Sequence, residues 1–338
     1  MIWNVNLWRR AVAARGYLSS HSTASRTDRR NGWQGLLGLL LCIVLLNPQV
    51  VSAQTKINWD IPFTTPLPGD SLVPLQTLVD PAMQAELVKN LNRNPHWRQL
   101  IAEKKMAVGL VDLRDRAHLR FARVNGDEMM YAASLPKIAI LLASMDALEK
   151  KQIPESKEVL EDLRLMISHS DNEASTRMID RLTYERIEKV LCDPRYKLYD
   201  QACGGGLWVG KRYASDGRRY PDPLKGLTHA ASATQVCRFY YMLINGKLVN
   251  YKRSKQMLDI MVDPALHHKF VNTLDQKTPQ AKLFRKSGSW ENFHSDSILV
   301  WGPRRRYILV GLIEDPDGEQ ILRDLVNVIE FVLHIPGA

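Results

Sequence analysis

Three short motifs occur once each in the sequence, in the order Ser134-Leu135-Pro136-Lys137, Ser170-Asp171-Asn172 and Lys286-Ser287-Gly288. A serine and a lysine three positions apart lie on one helix face, and a buried, neutral lysine can act as a base for the hydroxyl. The second motif offers a proton carrier and an amide, and the third offers a cation for an anionic substrate. Together the motifs predict covalent catalysis by Ser134.

The first two motifs also have purely structural interpretations. Ser134 precedes the apolar run 138–148, and Pro136 suits a first helical turn, so Ser134 can instead be a helix N-cap. Ser170 or Asp171 can cap the helix predicted after them in the same way. Each motif is therefore weak evidence when it is taken alone.

The third motif lies in a strand-like run, where a glycine normally weakens the strand. Lys286 can be an exposed lysine on an edge strand, with Gly288 marking a bulge. A glycine at this position also suits a close approach by another backbone or by a ligand. Three weak signals in one order, each in the expected setting, form a strong combined signal.

Apolar periodicity predicts the elements that must position these motifs. They are an amphipathic helix from Asp80 through Trp97, strands at 106–113 and 119–124, helices at 138–148, 160–167, 173–182, 184–191 and 234–244, strands at 283–290, 297–301 and 307–313, and a helix at 318–334. Residues 193–230 are rich in Gly, Pro, Tyr and Arg and are predicted to form a long irregular loop. Chain ends that supply one sheet around a helical block indicate a single α/β unit.

The first 53 residues have the pattern of an export leader. Six arginines precede an apolar run at 36–46 that is too short to span a bilayer, and Val51-Ser52-Ala53 suits cleavage before Gln54. We expect a signal peptide at 1–53 and a periplasmic or other extracytoplasmic location, with an uncleaved anchor as the alternative. A Pro/Thr-rich linker at 54–78 and a catalytic domain at 79–338 are predicted to follow. The domain comprises an α/β part at 79–133 and 280–338 and a helical part at 134–279.

Composition narrows the partners and cofactors. The formal net charge is +10, about half of it in the leader, and no dense basic stripe alternates with aromatic residues, so a nucleic-acid partner is not expected. Membrane contact is expected only through an uncleaved leader. Beyond the leader, Cys192, Cys203 and Cys237 lack metal-ligand spacing, so no metal or other cofactor is predicted. A Cys192–Cys203 disulfide is feasible after export, with buried or free thiols as the alternative.

At these motifs the chain resembles the penicillin-recognising serine hydrolases, which include class A β-lactamases and DD-peptidases. Their S-x-x-K, S-D-N and K-T-G motifs match the three motifs in order, with Lys-Ser-Gly as the third. The similarity extends over residues 95–335. It implies an α/β fold with a mostly antiparallel five-stranded sheet, N- and C-terminal covering helices and an inserted all-helical subdomain.

The resemblance implies a catalytic role for three residues. Ser134 would attack an amide carbonyl, Lys137 would help to activate it, and Ser170 would pass a proton to the departing nitrogen. The backbone N–H groups of Ser134 and Ser289 would form the oxyanion hole, in which each donor is worth on the order of 10²–10³ in rate.

The resemblance also implies a substrate-binding set, formed by Asn172, Lys286, Ser287, Gly288 and Ser289. Asn172 would position the substrate, and Lys286 with Ser287 would bind a carboxylate. The implied partner is a β-lactam or a peptidoglycan-type peptide.

One feature departs from class A β-lactamases, which carry a glutamate that activates the deacylating water. Residues 189–290 contain no glutamate. Asp200, Asp216 and Asp222 are the acids available to replace it, whereas Glu185 and Glu188 lie earlier, in a predicted helix. A β-lactam acyl-enzyme is therefore expected to be long-lived. The alternatives to a hydrolase of β-lactams are a DD-peptidase or other cell-wall amidase, and a slowly deacylating penicillin-binding or sensor protein.

Overall fold

The computed structural model describes residues 72–336, so the predicted leader and most of the predicted linker lie outside the described residues. Strands and helices alternate in a mixed arrangement. The strands are β1 (Met106–Asp112), β2 (Arg120–Val124), β3 (Met130–Tyr131), β4 (Tyr199–Asp200), β5 (Gly205–Gly206), β6 (Trp208–Val209), β7 (His229–Ala231), β8 (Lys282–Trp290), β9 (Phe293–Trp301) and β10 (Arg306–Glu314). The helices are α1 (Pro81–Leu91), α2 (Pro95–Ala102), α3 (Lys137–Glu149), α4 (Lys157–Arg164), α5 (Asn172–Leu182), α6 (Tyr184–Leu191), α7 (Ala233–Ile244), α8 (Tyr251–Met261), α9 (Phe270–Lys277) and α10 (Gly318–Val332).

The main sheet has five strands in the order β2-β1-β10-β9-β8, and every neighbouring pair is antiparallel. The two ends of the described chain supply it, and the helical block between them is inserted. The five-stranded antiparallel sheet implied by the resemblance is therefore confirmed. β8, which carries the third motif, is an edge strand.

Both faces of the sheet are buried. Alternate residues of β1 enter different cores: Val108 and Leu110 face the terminal helices α1, α2 and α10, whereas Ala107 and Val111 face the helical block. This division follows from the pleat of a strand, whose successive side chains point to opposite faces. A strand covered on both faces has a continuous apolar sequence, as the run from Met106 has.

α3 is the central helix of the helical block and packs against α5, α6 and α8. Its residues from Lys137 to Leu148 are all buried. A helix that is apolar on all sides requires a surrounding core, and here other helices and the sheet provide one. The first residue of this helix, Lys137, is therefore held in a rigid position.

The N-terminal helix prediction was wrong in one respect, because two helices replace the single helix expected from Asp80 through Trp97. α1 ends at Leu91, and Pro95 begins α2, with the Asn94 side chain accepting hydrogen bonds from two N–H groups of the first turn. A proline cannot continue a helix but is favourable at its first position. Just before α1, Leu75 of the predicted linker is buried in the core of the helical block.

The segment 193–230 was predicted to be irregular throughout, but it contains paired strands. β4 pairs with β5, and β6 and β7 join β3 in a three-stranded sheet. Strands of two or three residues are too short to leave a periodic signal. Cys192, just before this segment, and Cys203, within it, are exposed free thiols, so the alternative of free thiols is found and the disulfide is not formed.

Two properties of residues 72–336 concern membranes and metals. None of the helices in this range is both long and apolar enough to cross a bilayer. Over the same residues, no three side chains of His, Cys, Asp or Glu are grouped so that they could hold a metal ion.

Candidate active site

Ser134 lies in the turn that leads into α3. The N–H of Leu135 donates to the Ala132 carbonyl at 3.0 Å, and the N–H of Lys137 donates to the Ser134 carbonyl at 3.2 Å. No side chain caps the start of α3, so the N-cap interpretation of Ser134 is wrong. Ala133 has a φ of 50°, a left-handed conformation that costs a residue with a Cβ about 1–3 kcal/mol.

Lys137 is fully buried at the start of α3. Its Nζ donates to the Ser170 carbonyl at 2.6 Å, the Asn172 Oδ1 at 2.8 Å and the Asp171 carbonyl at 3.3 Å. Burial lowers the pKa of the Lys137 amine to about 7, although the negative charge of Asp171 acts in the opposite direction. At neutral pH about half of the amine is therefore deprotonated and able to accept a proton.

Two residues of the second motif have different roles. Asp171 is the N-cap of α5 and accepts a hydrogen bond from the Ala174 N–H at 2.6 Å. Ser170 has a φ of 58° and follows a π-helical turn at Leu165–His169, a type of distortion common at functional sites. Because Asp171 caps the helix, the Ser170 side chain is not needed as a cap and can contact the other two motifs.

Ser170 is the meeting point of two lysines. The Lys286 Nζ donates to the Ser170 Oγ at 2.9 Å, and the Lys137 Nζ lies 3.5 Å from the same oxygen. These two lysines are 149 positions apart in the sequence. The fold therefore brings residues of all three motifs together.

Lys286 is buried, so its interpretation as an exposed edge-strand lysine is wrong. Besides Ser170, its Nζ reaches the Ser287 carbonyl at 2.7 Å. Burial, reinforced by the positive charges of Lys137 and Arg285, holds the pKa of Lys286 well below its usual range. The pairing of β8 with β9 is regular through Lys286 and Gly288, so no bulge is present at this point.

Gly288 permits close contact between β8 and the turn that carries Ser134. A Cβ at residue 288 would lie 2.5 Å from the Ser134 nitrogen and 2.8 Å from the Leu135 nitrogen, and it would also strike the Ala132 carbonyl. Ser295 of β9 ties down the same turn by donating to the Ala132 carbonyl at 2.7 Å. The expectation that another backbone approaches this glycine is confirmed.

Ser134 and Ser289, whose backbone N–H groups are predicted to form an oxyanion hole, both lie beside this contact. Within residues 72–336 the Ser134 N–H donates to no backbone carbonyl. Ser289 directly follows the buried Gly288 on β8 and is exposed. Ser287, the remaining residue of the predicted substrate-binding set, is buried on the same strand.

Lys269 is a site neighbour that sequence reasoning missed. It is fully buried ahead of α9, and its Nζ donates to the Gly288 carbonyl at 2.5 Å, the Ser289 Oγ at 2.8 Å and the Ser295 carbonyl at 3.2 Å. Burial lowers its pKa to about 8, opposed by the charge of Asp296. No periodicity marks this lysine, because it lies between elements.

Basic side chains outnumber acidic ones under the third motif. Arg285 forms a buried two-pronged pair with Asp296, with Nε and Nη2 each 2.8 Å from a carboxylate oxygen. Lys286 and Lys269 lie beside this pair, and Asp296 is the carboxylate that acts on both. An anionic group entering here would favour the protonated forms of Lys286 and Lys269.

Tyr213, also missed from the sequence, reaches the site from the 193–230 segment. Its ring centroid lies 4.4 Å from the Lys137 Nζ, and its hydroxyl donates to the Ala133 carbonyl at 3.3 Å. The His229 ring packs against it, with 4.4 Å between the centroids. The absence of apolar periodicity around Tyr213 left no signal from which its position could be found.

The three aspartates considered as replacements for a deacylating glutamate serve other purposes. Buried Asp222 accepts hydrogen bonds from the N–H groups of Leu224, Lys225 and Leu227 and so holds a turn together. Asp200 caps a short 3₁₀ turn, and Asp216 is largely exposed beside Arg212.

The two glutamates of α6 are engaged as well. Glu185 pairs with Arg218, and Glu188 accepts a hydrogen bond from the Tyr220 hydroxyl. Among the hydrogen bonds of residues 72–336, none joins these glutamates, or Asp200, Asp216 or Asp222, to the three catalytic candidates.

Comparison with known proteins gives both a family and a fold. The sequence profile Beta-lactamase2, described as the beta-lactamase enzyme family, matches residues 153–329, just over half of the chain. No curated protein sequence gives a significant match.

Solved structures share the fold at low sequence identity. A beta-lactamase from Sphaerobacter thermophilus DSM 20745 is 16% identical with a TM-score of 0.56, over 75% of this chain and 98% of that chain. PBP-A is 20% identical with a TM-score of 0.54, over 75% of this chain and 96% of that one. A class A beta-lactamase from Mycobacterium abscessus is 14% identical with a TM-score of 0.54, over 75% and 99%.

Proposed function

Because the chain belongs to the beta-lactamase enzyme family and is a serine hydrolase of that kind, we propose that it cleaves a carboxylate-bearing amide through an acyl-enzyme at Ser134. The substrate class is a β-lactam or a peptide of the cell-wall type. The observation that carries the proposal is the convergence of Lys137 and Lys286 on Ser170, beside the turn that bears Ser134.

Acylation begins with the transfer of the Ser134 hydroxyl proton to the neutral Lys137 amine. The Ser134 Oγ forms a bond to the carbonyl carbon, and the resulting oxyanion accepts hydrogen bonds from the N–H groups of Ser134 and Ser289. Lys137 returns the proton through the Ser170 hydroxyl, which lies 3.5 Å from its Nζ, to the departing nitrogen. The C–N bond then breaks and leaves an ester on Ser134.

Lys286 is the proposed carboxylate-binding residue, with Ser287 beside it. A substrate anion would restore the protonated form of this lysine, because an opposite charge nearby counteracts the effect of burial. The excess of basic side chains under β8 supports an anionic substrate. It favours the β-lactam and peptide classes named above, since both bear a free carboxylate.

Deacylation is expected to be slow. The five acids that could replace the deacylating glutamate form other contacts; they are Asp200, Asp216, Asp222, Glu185 and Glu188. A positioned general base contributes about 10²–10⁴ in rate, and none of these acids is in place to act as one. Lys137 is then the remaining side chain proposed to activate the water that hydrolyses the Ser134 ester. We therefore propose an acyl-enzyme that outlasts the acylation step by a wide margin.

A second candidate function is that of a DD-peptidase, another cell-wall amidase, or a slowly deacylating penicillin-binding or sensor protein. The engagement of the α6 glutamates in other contacts favours it. PBP-A supports it as well, because an acyl-enzyme complex with penicillin-G is described for the L158E mutant of that protein. The pattern of residues 1–53 supports export, after which such substrates would be accessible.

The experiment is to incubate the purified full chain with a fluorescent penicillin and to follow its intact mass over time. A Ser134-dependent adduct that persists supports the slow-turnover proposal, and one that forms and disappears quickly supports efficient β-lactam hydrolysis. The Ser134→Ala variant is the control. Equal labelling of the wild type and Ser134→Ala would show that the nucleophile is wrongly assigned.

A further inference from the structure

The two residues that directly precede Tyr213 in the chain are both tied to other elements. Arg212 pairs with Asp180 of α5, with its Nε and Nη2 at 2.8 and 2.7 Å from one carboxylate oxygen. The Lys211 carbonyl contacts the Nε2 of buried His229 at 3.1 Å. The Tyr213 ring is therefore anchored to α5 and β7.

The Lys137 amine is enclosed by two kinds of neighbour. Carbonyl and amide oxygens from residues 170–172 accept its hydrogen bonds. The Tyr213 ring covers it from another direction at 4.4 Å, within the range of a cation–π contact. A ring at this distance occupies space that water would otherwise fill.

The same tyrosine also contacts the turn of the nucleophile. Its hydroxyl donates to the carbonyl of Ala133, the residue with the positive φ next to Ser134. A strained backbone persists only where its surroundings hold it in place. One side chain thus touches both the base and the turn that presents the serine.

We infer that Tyr213 is a positioning residue of this site: its ring shields the Lys137 amine from water, and its hydroxyl steadies the Ala133–Ser134 turn. The inference rests on the proposed roles of Ser134 and Lys137. It adds a reason for slow deacylation, because the ring also occupies space that a water attacking the ester would need. It assigns a function to a segment that carries none of the three motifs.

The charges of the titratable groups near Lys137 indicate how the Tyr213 ring affects the Lys137 amine. Asp171 favours the charged form of the Lys137 amine. The positive charge of Lys137 in turn disfavours the charged form of Lys286 and so helps to lower the Lys286 pKa. Burial lowers the pKa of His229 to about 4, so this ring is neutral at physiological pH. Burial also keeps the Tyr213 phenol protonated, with a pKa raised well above its usual value. The exclusion of water is therefore the main effect of Tyr213 on Lys137.

The direct test measures the titration of Lys137 by NMR of ¹³C-labelled lysines, with the signal assigned by its loss in Lys137→Met. In Tyr213→Ala we expect the midpoint to rise by about one pH unit, because hydration of a buried ammonium outweighs a lost cation–π contact. Tyr213→Phe keeps the ring and should keep the midpoint. An unchanged midpoint in Tyr213→Ala overturns the inference.

Tyr220→Ala is the matched control. Tyr220 belongs to the same segment but stacks on Trp208 and Tyr184, with centroid distances of 5.8 Å in both cases. It should leave the Lys137 midpoint unchanged. A shift as large as that of Tyr213→Ala would indicate general loosening of the segment and would overturn the inference.

A second measurement follows the penicillin adduct of Ser134 by intact mass. Tyr213→Ala should shorten its lifetime on the order of tenfold, since water gains access to the site. An adduct as persistent as that of the wild type contradicts the shielding role. If the wild type forms no Ser134-dependent adduct, the proposed function fails, and the NMR titration still decides the role of Tyr213.

Discussion

Gly288 lies so close to Ser134 that a Cβ on residue 288 would stand 2.5 Å from the Ser134 nitrogen. The atoms in the way are backbone atoms, which cannot move aside as the end of a side chain can. This contact sets the distance between strand β8 and the nucleophile. It leads to the first prediction.

Gly288→Ala should lower the acylation rate of Ser134 by about 100-fold or more, because displacements of about 1 Å have effects of that size. Adduct formation measured by intact mass checks this. Gly302→Ala is the control, since the nearest atom to its Cβ would be the Ala281 side chain, at 3.1 Å, and the nearest backbone atoms would lie at 3.6 Å or more. Normal acylation in Gly288→Ala would show that the contact is not required.

The acylation rate should depend on the protonation of Lys137. The deprotonated amine is the active form and its pKa is about 7, so the rate should rise with pH, reach half its maximum near pH 7 and then level off. Stopped-flow acylation between about pH 5.5 and about pH 8.5 checks this. Lys137→Gln should be slow and lack the rise. A flat wild-type profile would argue against Lys137 as the base.

Lys286→Met should weaken the binding of substrates that carry a carboxylate. The loss of one charge-assisted hydrogen bond corresponds to about a 10- to 100-fold increase in KM. The methyl ester of the same substrate lacks the anion, so the substitution should change its KM far less. Equal losses for the acid and its ester would remove Lys286 from the carboxylate site.

The buried pair of Arg285 and Asp296 should stabilise the fold under the third motif. Asp296→Asn leaves Arg285 without its counter-ion, and breaking such a pair lowers the free energy of unfolding by about 3–5 kcal/mol. Urea denaturation followed by circular dichroism measures this. Asp216→Asn, at a side chain with 74% exposure, should leave the urea midpoint unchanged. A midpoint in Asp296→Asn equal to that of the wild type would contradict the assignment.

Stability should rise with pH in the alkaline range. The pKa values of Lys137 and Lys269 are about 7 and about 8 in the folded chain, below that of an unfolded lysine. The unfolded chain therefore binds more protons between about pH 7 and about pH 10.5, so raising the pH favours folding.

Urea midpoints across that interval test the prediction, and Lys269→Met should flatten the rise. Lys89→Met, at an exposed lysine, is the control and should leave the rise of the urea midpoint with pH unchanged. A pH-independent midpoint in the wild type would contradict the depressed pKa values.

The three motifs could be found from the sequence because each is local, and their order matched a known pattern. Strands such as β1 and β10 were predictable for the same reason, since they have long apolar runs. Their antiparallel arrangement was implied by the resemblance. The contacts of Lys269 and Tyr213 could not be predicted, because each lies outside periodic elements and depends on tertiary packing. Pro95 itself indicated a break in the predicted helix, but the apolar periodicity on both sides of it favoured a single continuous helix.

The candidate site contains residues from the turn at 132–137, the turn at 170–172, Lys269 and the paired strands β8 and β9. These segments are distant in sequence, so their contacts form only after large loops have closed. A partly folded chain would have Ser134 and Lys137, but it would lack the burial that lowers the Lys137 pKa and the contacts with Ser170 and Lys286, so it should be chemically inert. Covalent labelling of Ser134 would therefore count natively folded molecules, and its time course after dilution from denaturant would report the last stage of folding.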